Sequence, residues 1–502
     1  MNRKDRAVRI SLPKPVTIAA AITCMLASCA HAAMTVSSAK TRNVTCSGGV
    51  CTPTRGNANL NVGQLQTMLA SSDVTVKSSA STRALGVLDP LTWAGSHRLT
   101  LDAYQSIHVR APIVVEGTSG LTLITNDGGT GGDYTFENGG SANFWDLASS
   151  LVINGQSYTL VGDIKTFASD VIPGDPYQYF AFANSYDASA DGSYSDAPVA
   201  SFAGTLEGLG NQILNLTVSQ RGSKVEGLIS SLAGTVRDIA LANVNISTYG
   251  FAGALAGESG PRGTIIHASA SGTVTAKGKN SVAGGLVAVN EWEIVDSSAD
   301  VTVYAANAGG LVGTNKWEID FCHAIGSVSS PLNAGGLVGN NLGTIFQSYA
   351  TGSSSALKKQ ARAGGLVGYN DPGSIIQSYA TGAATGSISG AEAGGLAGVN
   401  KAQIAQTYST GSVSVVSGPA GGLIGDDNHD SANVSVAYWD FDTSGITDPG
   451  QGAGSPYGDP GITGLTDAQL KSTLPAGFDP KIWGQNPNIN NGWPYLLANP
   501  PQ

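Results

Sequence analysis

From Ala252 to Asp427 the apolar residues of this chain come in short alternating runs closed by glycine or asparagine, and the runs recur. One phrase, fullest at Ala363-Gly364-Gly365-Leu366-Val367-Gly368-Tyr369-Asn370, begins at Ala252, Ala283, Ala308, Ala334, Ala363, Ala393 and Ala420, at intervals of 31, 25, 26, 29, 30 and 27 residues. A period of that size marks a solenoid, in which one unit cannot bury its own apolar face and neighbours must stack. The alternation within each run predicts strands, so the expected fold is all-β, a β-solenoid. Aligned copies form columns. Leu255, Leu286, Leu311, Leu337, Leu366, Leu396 and Leu423 occupy one, and Ile294, Ile319, Ile345, Ile375 and Ile404 another. Stacked coils place such residues over one another at about 4.8 Å, and those rows are the expected core. Asn290, Asn315, Asn341, Asn370 and Asn400 form a third column just after the glycine-rich strand, where a turn is needed. Asparagine tolerates left-handed backbone, and stacked amides can bond to one another along the ladder.

Outside the array the pattern loosens. Residues 33–85 are Ser- and Thr-rich, with a short helix predicted from Asn61 by the spacing of Leu65 and Leu69, and read as an amino-terminal segment and cap. Residues 86–220 read as irregular coils, with strands predicted at Arg98–Ala103, Ser106–Val109, Ile113–Glu116 and Leu121–Thr125. The regular coils occupy 221–440. Between residues 85 and 440 roughly 13 coils are expected, a rod about 60 Å long at one strand spacing per coil. Residues 441–502 are Gly- and Pro-rich; Thr466-Asp467-Ala468-Gln469 fits a capping box opening a short helix, and Phe478, Trp483, Trp493 and Tyr495 are expected to plug the last coil.

Composition supports many tight turns and few charged surfaces: 67 glycines, with 12% charged and 7% aromatic residues. The first 32 residues have the pattern of an export signal, with Arg3, Lys4, Arg6, Arg9 and Lys14 ahead of an apolar run from Val16 to Leu26 and then Ala30-His31-Ala32. Cleavage between Ala32 and Ala33 is the expected processing; the alternative is a lipobox, Leu26-Ala27-Ser28-Cys29, with Cys29 lipidated. No segment is long and apolar enough to predict a membrane-spanning helix. Removing the signal leaves 21 basic and 35 acidic residues, a net charge of −14, which argues against nucleic acid as a partner. An oxidising compartment would let Cys46 pair with Cys51, leaving Cys322 as an odd thiol.

Candidate chemistry is sparse. Glu293 and Glu318 are equivalent positions in successive coils, each preceded by a tryptophan, Trp292 and Trp317, and near Asp296 and Asp320. Paired carboxylates can serve as acid and base on a sugar, with tryptophan stacking on the ring; the plainer reading is a solvated face. Gly128-Gly129-Thr130-Gly131-Gly132-Asp133 and Asp440-x-Asp442-x-Ser444-Gly445 imitate calcium loops, but each lacks required ligands and reads as a turn. His323 falls in the column of Ser298, Tyr349, Tyr379, Tyr408 and Tyr438 and reads as a rung of the stack. The tyrosines are expected to pack together, the alternative being outward rings that stack on glycan.

Ala-Gly-Gly-Leu-Val-Gly-x-Asn, followed by Ser348-Tyr349-Ala350-Thr351-Gly352 or Ser378-Tyr379-Ala380-Thr381-Gly382, resembles the bacterial GLUG repeat. The stretch from Leu91 to Asn126, with Leu99-Thr100-Leu101-Asp102-Ala103-Tyr104, resembles the shaft of filamentous haemagglutinin-type surface proteins, although their amino-terminal secretion domain is not recognisable. These resemblances imply a right-handed parallel β-helix, secreted or on the bacterial surface, with an adhesin-like role. The implied partners are surface glycans or surface proteins, and no cofactor or metal is expected. GLUG repeats also occur in immunoglobulin-cleaving zinc peptidases, but this chain has no His-Glu-x-x-His to hold zinc and supply a base. The alternative function is a β-helical polysaccharide lyase or glycoside hydrolase using Glu293, Glu318, Asp296 and Asp320.

Overall fold

Parallel pairing stacks the chain from Met34, opposite Leu85, to Asp440, opposite Leu465. The computed structural model describes residues 33–427 and 433–501, so the expected signal, with Cys29 and Ala32, lies outside the described residues. The result is a nearly all-β parallel solenoid of about 15 turns. In the array the repeated phrase makes two strands, such as Arg362–Gly364 and Val367–Asn370, and Ser374–Ile376 opens the next face after a turn. The first strands of the phrase build an eight-stranded sheet and the second a nine-stranded one. The glycine pair is required where they meet: a Cβ on Gly365 would lie 2.1 Å from the Gly395 carbonyl oxygen of the next coil.

The sequence columns are rows in space. Leu255 through Leu423 and Ile294 through Ile404 are fully buried in one continuous core. Asn290 donates to Asn315 (2.9 Å), Asn315 to Asn341 (2.9 Å), Asn341 to Asn370 (2.8 Å), Asn370 to Asn400 (2.8 Å) and Asn400 to the Asp427 carboxylate (3.1 Å). All five asparagines are buried, so each rung satisfies amide groups that water cannot reach.

Three expectations are corrected. Residues 33–85 are not a separate cap: Met34 stacks on Leu85, Cys51 on Val76 and Val76 on Leu101, so coils begin well before residue 86. Within this segment Asn61 caps the helix Val62–Leu69, and a disulfide joins Cys46 to Cys51 across a hairpin. Secondly, residues 86–220, expected as irregular coils of the solenoid, are shared between two cores. A hairpin, Ser150–Ile153 with Gln156–Val161, and a helix at Ile164–Asp170 separate an amino-terminal core from that of the array. Phe167 on this helix packs against Phe180 and Phe202, filling the end of the array core that would otherwise open to water.

Thirdly, the closing segment is a strap along the side rather than a plug over the last coil. Leu470, Phe478, Trp483 and Leu496 pack on the column of Tyr349, Tyr379, Tyr408 and Tyr438. Tyr438 donates to the Ala476 carbonyl (2.7 Å), Tyr408 to Pro494 (2.5 Å), and Asn499 donates to the carbonyls of Cys322 (3.1 Å) and Gln347 (3.2 Å). The strap therefore runs back along the tyrosine column. The capping box at Thr466 and Gln469 starts it, and Trp439, buried in the array core, helps close the last coil.

Candidate functional site

The amide ladder also sets the geometry of a face that departs from the repeat. Asn290 donates to the Trp292 carbonyl (3.0 Å) and Asn315 to the Trp317 carbonyl (3.1 Å), fixing the backbone that enters the next strand. Register aligns this entry position as Gly204, Gly234, Gly263, Trp292, Trp317, Gly343, Gly373 and Ala402. The following position reads Thr205, Thr235, Thr264, Glu293, Glu318, Thr344, Ser374 and Gln403. Two coils thus replace a small residue and a hydroxyl or amide by tryptophan and glutamate, although coil geometry requires neither.

The indoles of Trp292 and Trp317 stack with centroids 5.4 Å apart and planes 8° from parallel. Stacking covers one face of each ring. Trp317 remains 49% exposed and borders a shallow groove of about 290 Å³, lined by Lys316, Glu318, Leu342, Gly343, Thr344, Pro372, Gly373 and Ser374. Because Gly343 and Gly373 follow Trp317 in its column, no side chain fills the space beside its ring.

Glu293, Glu318 and Asp320 converge, with one carboxylate oxygen of each within 4.8 Å of the others. The parallel register explains this, placing Glu293 opposite Glu318, with Asp320 two residues further along the same strand face. Asp296 does not join them. It sits at the corner in left-handed backbone (φ 46°), with its carboxylate 3.4 Å from His267 Nε2. Burial, and then the charges of Glu318 and Glu293, push the Asp320 carboxyl up to about 7. Burial and the Glu318 charge raise Glu293 as well. Such a cluster can hold a proton near neutrality, or offer three hard oxygens to a divalent cation that would take its remaining ligands from water or a bound sugar.

A stability signature follows. Folded Asp320 titrates near 7 and the unfolded carboxyl near 3.8, so folding holds the proton more tightly and stability falls as pH rises between those values. A shift of that size corresponds to a loss of up to about 4 kcal/mol, complete above pH 7. Asp320→Asn should flatten this dependence and raise the melting midpoint at pH 8 but not at pH 4; equal midpoint shifts at both values would contradict the assignment.

The other candidates have structural work. His323 is buried and stacks on Tyr349 at 4.9 Å with planes 3° apart. The fully buried Cys322 thiol donates to the Asp320 carbonyl, and burial pushes its pKa up, which removes nucleophilic character. Asp133, at the end of the glycine-rich hexapeptide, is bound by Arg237 (3.0 Å), whose guanidinium lies 3.9 Å over the Tyr134 ring. Asp440 caps the short helix Phe441–Ser444, and Asp442 accepts from the Asp467 backbone N–H. The tyrosine column is stacked at 4.9 and 5.0 Å and covered by the strap, so its rings do not form an open platform.

No family model matches the chain. It is 31% identical over 186 residues to halomucin of Haloquadratum walsbyi, a match that takes in 36% of this chain and 2% of halomucin's length. Among solved structures it is similar to a "putative immunoglobulin A1 protease" from Bacteroides ovatus, with a TM-score of 0.39 and 15% identity, covering 68% of this chain and 93% of that one. A second, an IgA1 protease, gives a TM-score of 0.33 and 21% identity over 55% of this chain and 20% of that one. No helix among the described residues is long and apolar enough to cross a membrane.

Proposed function

We propose that this chain is an exported, GLUG-type β-solenoid, secreted or displayed on a bacterial surface, with an adhesin-like role in which the Trp317 groove binds glycan without cleaving it. The observation that carries the reading is the replacement of Gly-Thr by Trp-Glu in two adjacent coils of a column otherwise filled by small residues. A half-exposed indole beside an open groove suits the apolar face of a sugar ring, and Glu318 at its rim can accept from sugar hydroxyls. Export is supported by the charge and apolar pattern of residues 1–32 and by the Cys46–Cys51 disulfide, which suits an oxidising compartment. The test is a glycan panel probed with residues 33–502. Trp317→Ala should weaken the strongest interaction by tenfold or more with unchanged melting behaviour, and no glycan binding by the wild-type protein overturns the reading.

One observation favours a second reading, a glycan-cleaving enzyme. Asp320, pushed up to about 7, lies within reach of Glu318, and such a pairing suits a proton donor beside a carboxylate base. Against it, the carboxylates lie on an open face with only a shallow groove beside them. Glycan cleavage that disappears in Glu318→Gln while binding persists would establish the enzyme.

A further inference from the structure

One corner of the array collects cations in a chain that is otherwise acidic. It is the turn leading into the repeated phrase, and its cations follow the strands Thr217–Ser219, Ser269–Ala276 and Ser354–Ala356. Arg221, Lys224, Lys277, Lys279, Lys358 and Lys359 all lie at this corner, and all are exposed. Lys224 pairs with Asp196; none of the others has an ion-pair partner among the described residues.

Backbone bonds stack the first three turns directly. Phe251 N donates to the Lys224 carbonyl (2.9 Å), Lys277 N to Thr248 (3.0 Å) and Val282 N to Gly250 (3.2 Å). They enclose a hollow of about 450 Å³ lined by Lys224, Tyr249, Phe251, Gly278 and Lys279. Glycine is required at 278 because a Cβ there would lie 2.0 Å from the Tyr249 carbonyl oxygen of the adjacent coil, and the Tyr249 side chain is 46% exposed. The next cations, Lys358 and Lys359, come three coils on, by the pairing of Val282 with Asn307, Asn307 with Asn333 and Asn333 with Arg362. That is about 14 Å along the axis at one strand spacing per coil.

A row of ammonium groups beside a hollow with aromatic walls combines two recognition chemistries. Lysines on flexible stems act as point charges for anions, and aromatic side chains accept the apolar faces of sugar rings. Two groups of cations, Arg221 to Lys279 and Lys358 with Lys359, separated by about 14 Å of coil that carries no lysine or arginine at this corner, suit an extended polymer better than a compact anion. The concave hollow, flanked by lysines, has no apolar anchor of the length a bilayer interface uses. We propose that this corner binds a linear polyanionic polysaccharide, with the hollow between Lys224 and Lys279 receiving one of its sugar rings. The site is separate from the Trp317 groove and does not rest on it.

The test measures binding of residues 33–502 to immobilised polygalacturonate and dextran sulfate, which separate carboxylate from sulfate as the anion, with neutral dextran and phosphatidylglycerol vesicles as comparisons. The expected result is binding to at least one polyanion, weakening as salt rises, and none to neutral dextran. Lys224→Gln/Lys277→Gln/Lys279→Gln should weaken it at least tenfold, Tyr249→Ala about threefold or more, and Lys481→Gln, at an exposed lysine of the carboxyl-terminal strap, not at all. These side chains are exposed, so the variants should melt with the parent. The proposal fails if neither polyanion binds at low salt, if the triple variant binds as the parent does, or if vesicles bind as tightly as polysaccharide and Tyr249→Ala changes nothing.

Discussion

Trp483→Ala should release the carboxyl-terminal strap while the array beneath it stays folded. Trp483 is 1% exposed, stacks on Phe478 at 4.4 Å, and leans on the rings of Tyr379 (6.2 Å) and Tyr408 (5.9 Å). Truncating a buried tryptophan costs about 3–5 kcal/mol, more than a segment held by a few side chains can lose and stay docked. The coils do not depend on it, because each is stabilised by its neighbours through the leucine, isoleucine and asparagine rows. Limited proteolysis should therefore cut the variant between residues 466 and 501 at least tenfold faster than the parent, with the far-ultraviolet β signal unchanged. Simultaneous loss of the β signal would show that the strap holds up the array.

Asn341→Ala should be the most costly change among the polar residues of the array. Its amide donates to Asn370 and its oxygen accepts from Asn315, at zero solvent exposure. Removing it interrupts the ladder and leaves the buried Asn370 oxygen without its donor, at a cost of about 2–4 kcal/mol. Asn340→Ala, one residue earlier and facing out of the core, should cost about 1 kcal/mol or less. Urea unfolding of both variants decides the matter: equal losses would mean that the ladder is incidental to stability.

Much of this was legible in the chain itself. A repeat that places Leu366 over Leu396 and Asn370 over Asn400 leaves little freedom, since slipping one residue would turn the leucines outward and break every amide rung. The same alignment paired Glu293 with Glu318. The corner lysines carried a signal of their own: Lys279 and Lys359 each stand four residues ahead of the phrase, at Ala283 and Ala363. The helix at Ile164–Asp170 carried less. Seven residues without a repeat partner give no periodic evidence, and its role in filling the end of the second core exists only once there are two cores.

What the sequence determined by itself was the coil, because identical residues at a fixed period can be buried together only by stacking. What the tertiary structure decided was everything that depends on segments distant in sequence. The aromatic residues near the end could have closed the last coil or covered its side; Asn499 bonding to Cys322, 177 residues away, is a contact no local pattern encodes. Asp296 and Asp320 are both near the two glutamates in sequence, three and two residues after them. Register separates them: Asp320 lies opposite Val295 on the strand beside Glu318, whereas Asp296 stands one position later, at the left-handed corner that Phe321 occupies in the next coil, and reaches His267.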